Sequence, residues 1–185
     1  MRHLFLDLET TGLAPSFAGI LEIAAIVTED TERGPKVIDM FHEYIRPFQP
    51  IPKAISELNG ITNEMVANCR TEKEVLLGFA TWLIGNGYDK LNPIAHNGKF
   101  DFRFLKERSG IVYSNTMELF TEMETRMIDT LPMARKMIKA GKIRTKESKA
   151  KLECLADAFN IKFHAHNALE DTQALAKVYY KMKEL

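Results

Sequence analysis

Near the N-terminus Leu4, Leu6 and Leu8 alternate with Phe5, Asp7 and Glu9. A period of two is the pattern of a strand, and it projects Asp7 and Glu9 from one face. Apolar runs predict this strand at residues 3–7 and two more at 21–28 and 37–46, with turn chemistry at Thr11-Gly12 and Arg33-Gly34-Pro35 between them. Three successive strands with short connections predict an antiparallel start. Beyond them the period lengthens. Pro52 opens a short helix ending near Gly60, and Asn63 can cap another short turn. Thr71 caps a longer helix with Glu74 at capping-box spacing and Val75, Leu76, Phe79 and Leu83 on one side, stopped by Gly85-Asn86-Gly87. Residues 92–96 predict a short buried strand that delivers Asp101 into the first turn of the next helix, on the face of Leu105. A brief strand at 127–129 leads to a helix through Lys139 that Gly141 stops; another helix runs from about Ser148 to Phe159, and a last one spans 169–185. A leading antiparallel sheet followed by alternating strands and helices is an α/β pattern.

The same pattern raises a charge problem. Asp171 shares a helical stripe with Leu175, Val178 and Met182, the stripe predicted to face the core, where an unpaired carboxylate is costly. Asp101 faces inward on the earlier helix, and Asp7 and Glu9 leave one strand face side by side. Taken singly, each has a bland explanation: a salt-bridged strand edge, an acid favoured by a helix dipole, a solvated helix charge. Taken together, four carboxylates at element ends and beginnings predict a shared metal site. Hard oxygen donors suit Mg²⁺ or Mn²⁺, and no His-rich or Cys-rich set of the kind zinc prefers is present. His166, five residues before Asp171, falls on the loop leading into the last helix, where an imidazole can serve as a mobile base. His164 is too close to the same segment to be ignored, but it lacks that spacing.

Composition narrows the picture further. At 185 residues and 45% apolar content, with no Pro/Gly/Ser-rich linker, the chain suits one domain over 1–185. Neither an apolar run of the roughly 20 residues a membrane span requires nor a signal-peptide start is present, which predicts a cytoplasmic protein without a membrane partner. Cys69 and Cys154 stand far apart and are expected to be buried free thiols. The 25 basic and 25 acidic residues balance, so any nucleic-acid surface must be local. The stretch 135–151 offers one, with eight Lys and Arg against Glu147 alone. Lys142, Arg144 and Lys146 at its centre are candidates for tracking phosphates, against the ordinary alternative of a solvated face.

Three segments, Phe5-Leu6-Asp7-Leu8-Glu9-Thr10-Thr11-Gly12, His96-Asn97-Gly98-Lys99-Phe100-Asp101 and His166-Asn167-Ala168-Leu169-Glu170-Asp171, resemble the three Exo motifs of the DEDDh (DnaQ-like) 3′-5′ exonucleases. That superfamily includes proofreading subunits, ribonuclease T and oligoribonuclease. Smaller stretches agree in order: Ile20 to Ile26 resembles the second strand, Leu58-Asn59-Gly60-Ile61-Thr62 the "HGIT" element, and Ile128-Asp129-Thr130-Leu131 the "DTL" element. Asn59 stands in place of the usual histidine and Gly98 in place of the usual alanine. The second motif and the HGIT-like element look closest to the proofreading branch, typified by the exonuclease domain of the bacterial DNA polymerase III epsilon subunit.

The resemblance implies a ribonuclease H-like fold with a mixed central sheet flanked by helices. It also implies a hydrolase with two metal ions that releases 5′-mononucleotides from the 3′ ends of single strands. Asp7, Glu9 and Asp171 would hold the ion that binds the attacking water, Asp7 would bridge to a second ion supported by Asp101, and His166 would be the general base. Thr10, Thr11 and Gly12 would receive the terminal nucleotide. Asn97 would contact sugar or phosphate, or else cap the next helix. The implied partners are single-stranded 3′ ends and, through the proofreading branch, a DNA polymerase subunit. The short chain after the third motif fits a stand-alone enzyme equally. DNA proofreading or end-processing and RNA 3′-end trimming stay open. A phosphotransferase of the haloacid-dehalogenase type, with a similar Asp-x-Asp-x-Thr start, is disfavoured by Glu9. A non-catalytic polymerase-binding module is disfavoured by the intact motifs.

Overall fold

β1 (Arg2–Thr10) is the middle strand of a five-stranded sheet of order β3-β2-β1-β4-β5. The computed structural model describes residues 1–112 and 114–185, with the side chains of 112, 114 and 115 excepted. β2 (Ile20–Thr31) and β3 (Gly34–Tyr44) extend the sheet antiparallel on one side of β1, while β4 (Pro93–Ala95) and β5 (Ile128–Asp129) extend it in parallel on the other. The helices are α1 (Lys53–Asn59), α2 (Asn63–Val66), α3 (Glu72–Gly85), α4 (Lys99–Val112), α5 (Ser114–Thr125), α6 (Thr130–Lys139), α7 (Leu152–Ala158) and α8 (Ala168–Lys183).

The alternation in β1 sorts its side chains into two cores. Leu4, Leu6 and Leu8 pack with Phe79 of α3, Phe102 and Phe104 of α4 and Phe120 of α5. Phe5 points the other way, into a cluster with Ala134 of α6, Leu155 of α7 and Leu175 and Val178 of α8. Asp7 and Glu9 continue the Phe5 face towards the carboxyl end of β1, where Leu152 of α7 and Asp171 of α8 border an open cleft. A cleft at the carboxyl ends of parallel strands is the usual binding place in open α/β sheets.

Local chemistry explains most element ends. The Thr71 capping box is complete: Glu74 N–H donates to Thr71 Oγ1 at 3.4 Å and Thr71 N–H to Glu74 Oε2 at 2.7 Å. Four expectations change. β3 ends at Tyr44 rather than reaching residue 46, because Arg46 N–H leaves the sheet to donate to Arg70 O at 2.9 Å. Thr62, not Asn63, caps α2; Asn63 Oδ1 instead accepts Ile51 N–H at 2.9 Å. Residues 146–148 form a 3₁₀ turn, with Glu147 and Ser148 at positive φ, so α7 begins only at Leu152. Both cysteines are free, but partly exposed rather than buried. α5 corresponds to no predicted element. At Gly98 a Cβ would stand 2.3 Å from Met127 Sδ and 2.7 Å from Ala95 Cβ, so Met127 occupies the space that an alanine in that motif would fill.

Candidate active site

Carboxylate oxygens of Asp7, Glu9 and Asp171 all lie within 4.8 Å of one another. β1 supplies the first two from one face, and α8 brings Asp171 over them one turn after its start. Asp101, 3% exposed in the first turn of α4, stands outside that cluster but nearby: among the charges acting on Asp7 its effect is the largest. Burial, followed by repulsion from Asp101, Asp171 and Glu9, holds Asp7 well above the usual carboxylate range. Burial and then the charges of Asp171 and Glu22 push Glu9 up to about 7, against a hydrogen bond from Asn59 Nδ2 to Glu9 Oε2 at 3.3 Å. Asp171 is pushed up to about 6 by burial, against backbone N–H donors at Asn167 and His166. Asp101 is raised chiefly by burial, with the Leu8 N–H opposing. Four acids held this way form a donor set that a hard divalent cation would relieve, and the fit to such an ion is good.

The cluster lies at the bottom of a cleft of about 610 Å³. The topology gives the cleft two unlike walls. On the β3 side, Ile55 and Leu58 of α1 and Leu13 of the loop after β1 are apolar; on the β5 side, Arg135 of α6 and Lys151 at the start of α7 bring two cations among Leu131, Leu152 and Glu153. Neither cation has an ion-pair partner among the described residues. His166 joins this second side, its side chain 44% exposed and its Nε2 4.0 Å from Glu153 Oε1. His164 points away, 94% exposed, with Nδ1 3.2 Å from Glu170 Oε2.

The sequence-predicted substrate contacts divide. Thr10, Gly12 and Asn97 line the cleft, whereas Thr11 closes the loop behind it: its N–H donates to Gly19 O, and its Oγ1 accepts Gly19 N–H, each at 2.9 Å. Asn97 has φ 63°, a left-handed conformation secured by donation of its N–H to Asp129 Oδ1 at 3.0 Å. Lys142, Arg144 and Lys146 are not in the cleft; Lys142 Nζ donates to Leu185 O at 2.7 Å. The cleft takes its cations from the two ends of the basic stretch instead of its centre. Periodicity singles out neither Arg135 nor Lys151, and Asn59 and Glu153 carry no signal beyond their places in the HGIT-like element and before the third motif.

Residues 4–179 match the profile of an exonuclease family, RNase_T. The chain belongs to this family. Among curated relatives it is 33% identical over 181 residues to a PolC-type DNA polymerase III of Thermotoga petrophila and 31% identical to the Bacillus subtilis counterpart. The alignments cover 97% of this chain but 12% and 11% of those polymerases, so the chain spans about an eighth of their length. Among solved structures, Escherichia coli Exonuclease I in complex with an oligonucleotide superposes with a TM-score of 0.79 at 19% identity, over 98% of this chain and 39% of that one. Exonuclease X in complex with 5′-overhanging duplex DNA gives 0.65 at 22% identity, over 98% and 90%. The mixed sheet with its flanking helices is thus the ribonuclease H-like exonuclease fold, and no helix among the described residues is long and apolar enough to cross a membrane.

Proposed function

We propose that this exonuclease domain removes 5′-mononucleotides from the 3′ ends of single-stranded DNA, with Mg²⁺ or Mn²⁺ bound by Asp7, Glu9, Asp171 and Asp101. The observation that carries the reading is the convergence of three carboxylates within 4.8 Å beside a loop histidine, in a cleft with an apolar side and a side that carries Arg135 and Lys151. Asp7, Glu9 and Asp171 would hold one ion and Asp7 with Asp101 a second; such a pair supplies an activated water and a stabilised leaving oxygen. His166 accepts a proton from the attacking water on a ring nitrogen as the water oxygen bonds to phosphorus, and Glu153, 4.0 Å from His166 Nε2, faces the imidazolium that forms. The phosphorus–O3′ bond breaks, the departing O3′ takes a proton from solvent, and the His166 imidazolium releases its proton to solvent.

The two walls distinguish the base side of a bound strand from its phosphate side. Ile55, Leu58 and Leu13 offer apolar surface to bases, while Arg135 and Lys151 offer charge to the phosphates. Thr10, Gly12 and Asn97 contact the terminal nucleotide. The likeness to PolC-type polymerases favours DNA over RNA and a polymerase as a partner in proofreading. The experiment is degradation of matched single-stranded DNA and RNA, each labelled at the 5′ or 3′ end, with Mg²⁺ or EDTA, by the wild-type protein and by Asp7→Ala. Metal-dependent mononucleotide release from the 3′ end, faster on DNA and abolished in a folded Asp7→Ala, is expected. Undiminished turnover by Asp7→Ala, with contaminating nuclease excluded, would remove the metal assignment, and a preference for RNA would redirect the reading to 3′-end trimming.

A further inference from the structure

Behind the cluster lies a fifth carboxylate that has no part in the chemistry above. Glu22 of β2 is fully buried and stands opposite Glu9 on β1 and Tyr44 on β3, so the three side chains share one face of the sheet. A buried carboxylate is costly unless hydrogen-bonded. Glu22 Oε2 accepts the N–H of Ala168 at 3.0 Å; Oε1 accepts Asn167 Nδ2 at 3.4 Å and lies 2.7 Å from His42 Nε2. Two of these partners are the residues that start α8.

That start is where the chain is most constrained. His166, directly before it, has φ 68°, which a side-chain-bearing residue keeps only where its surroundings enforce it. Asn167 Oδ1 accepts Glu170 N–H, and Asn167 N–H donates to Asp171 Oδ2, each at 3.0 Å. Those bonds hold the turn to α8 itself. The bonds to Glu22 hold it to the sheet that carries Asp7 and Glu9. Further along, Thr172 Oγ1 reaches Ala24 O at 3.3 Å as well as Ala168 O within the helix at 2.7 Å, so α8 has a tie to the sheet of its own, whereas the turn is tied to the sheet by the two bonds to Glu22 and by Asn167 Nδ2 to Tyr44 Oη at 3.4 Å.

We propose that Glu22 is a positioning residue for the reaction: it clamps residues 166–168 against the sheet and so places the imidazole of His166 over the site. The inference rests on the proposed function for its kinetic consequence but not for its structural one. Two variants test it without removing the core. Glu22→Gln keeps the volume and an oxygen for Ala168 N–H but sets an amide group against Asn167 Nδ2. Asn167→Ser keeps a cap oxygen for Glu170 N–H and loses the donor to Glu22.

Each variant is expected to lower kcat about tenfold, with KM within about twofold of wild type and with any loss of Mg²⁺ affinity, passed through the Asn167 N–H to Asp171, smaller than the loss of kcat. Introduced into His166→Ala, each should cost no more than about twofold, because the group being misplaced is already gone. Amide hydrogen exchange at residues 167–169 should accelerate about tenfold or more in both variants. An equal loss of kcat with and without His166, a change confined to KM or metal affinity, or unchanged kcat in both variants would overturn the proposal. If the wild-type protein hydrolyses no strand, the proposed function fails while the exchange measurement still decides the clamp: unchanged protection overturns it.

Discussion

Glu9 provides a prediction whose sign and size both follow from the site. Its carboxyl is raised from 4.5 to about 7 in the folded, metal-free protein. Between those values the unfolded chain has already released the proton that the folded protein retains, so stability is highest below about pH 4.5 and falls as pH rises, with the full penalty reached above about pH 7. A shift of this size corresponds to about 3.4 kcal/mol at about 1.36 kcal/mol per unit. Glu9 opens to the cleft and shares its repulsion with Asp171 and Glu22, so solvent screening and coupling reduce the expected figure to about 2 kcal/mol. Glu9→Gln removes the charge and keeps an oxygen for Asn59 Nδ2. In EDTA at pH 8 the variant should be about 2 kcal/mol more stable than wild type, equivalent to roughly 4–8 °C in Tm for a chain of this size. At pH 5 the two should agree to within about 1 kcal/mol. Urea denaturation with unchanged m-values measures this directly. Saturating Mg²⁺ should reverse the order at pH 8, because only the wild type keeps the full ligand set. A Glu9→Gln protein that is less stable than wild type at pH 8 in EDTA, or a wild type whose stability is flat from pH 5 to 8, would refute the account of the cluster.

His166→Ala should lower kcat by about 10² to 10⁴-fold with substrate and metal binding retained, whereas His164→Ala, whose ring is exposed and paired with Glu170, should lose far less; the reverse order in steady-state kinetics would displace His166 as the base. Replacing Arg135 and Lys151 together with alanine should raise KM for a single strand and reduce the slope of log KM against log salt by about 1.4, at roughly 0.7 per phosphate contact. Neutralising Lys142, Arg144 and Lys146 should change that slope less, since these side chains lie outside the cleft. Equal slopes for the two sets would return the strand path to the centre of the basic stretch.

Much of the site is legible in the amino-acid sequence because its residues sit where local rules are strict. Period-two alternation puts Asp7 and Glu9 on one face whatever the rest of the chain does. Helical spacing puts Asp171 on the stripe of Leu175, Val178 and Met182, all of which are buried. The Thr71–Glu74 box sets the start of α3 from four residues. Features that depend on neighbours distant along the chain are not legible in this way. α5 at residues 114–125 has Met117, Phe120 and Met123 at helical spacing, but no Gly or Pro separates it from α4, so the chain gives no signal of a distinct element; Phe120 and Met123 pack into the core beside α3 and α4. A basic run gives charge but not direction, so only the placement of α6 and α7 beside β1 selects Arg135 and Lys151 for the cleft. Glu22 interrupts the apolar run of residues 20–27 in β2, where the sequence shows only a misfit; its partners Ala168 and Asn167 are 146 and 145 residues away. The sequence by itself determined which carboxylates share a face and so which side chains are candidates for the chemistry, because strand and helix periods act over a few residues. The tertiary structure alone decided how those side chains are walled, tethered and charged against one another, because burial and Coulomb forces act through space between segments that the chain order keeps apart.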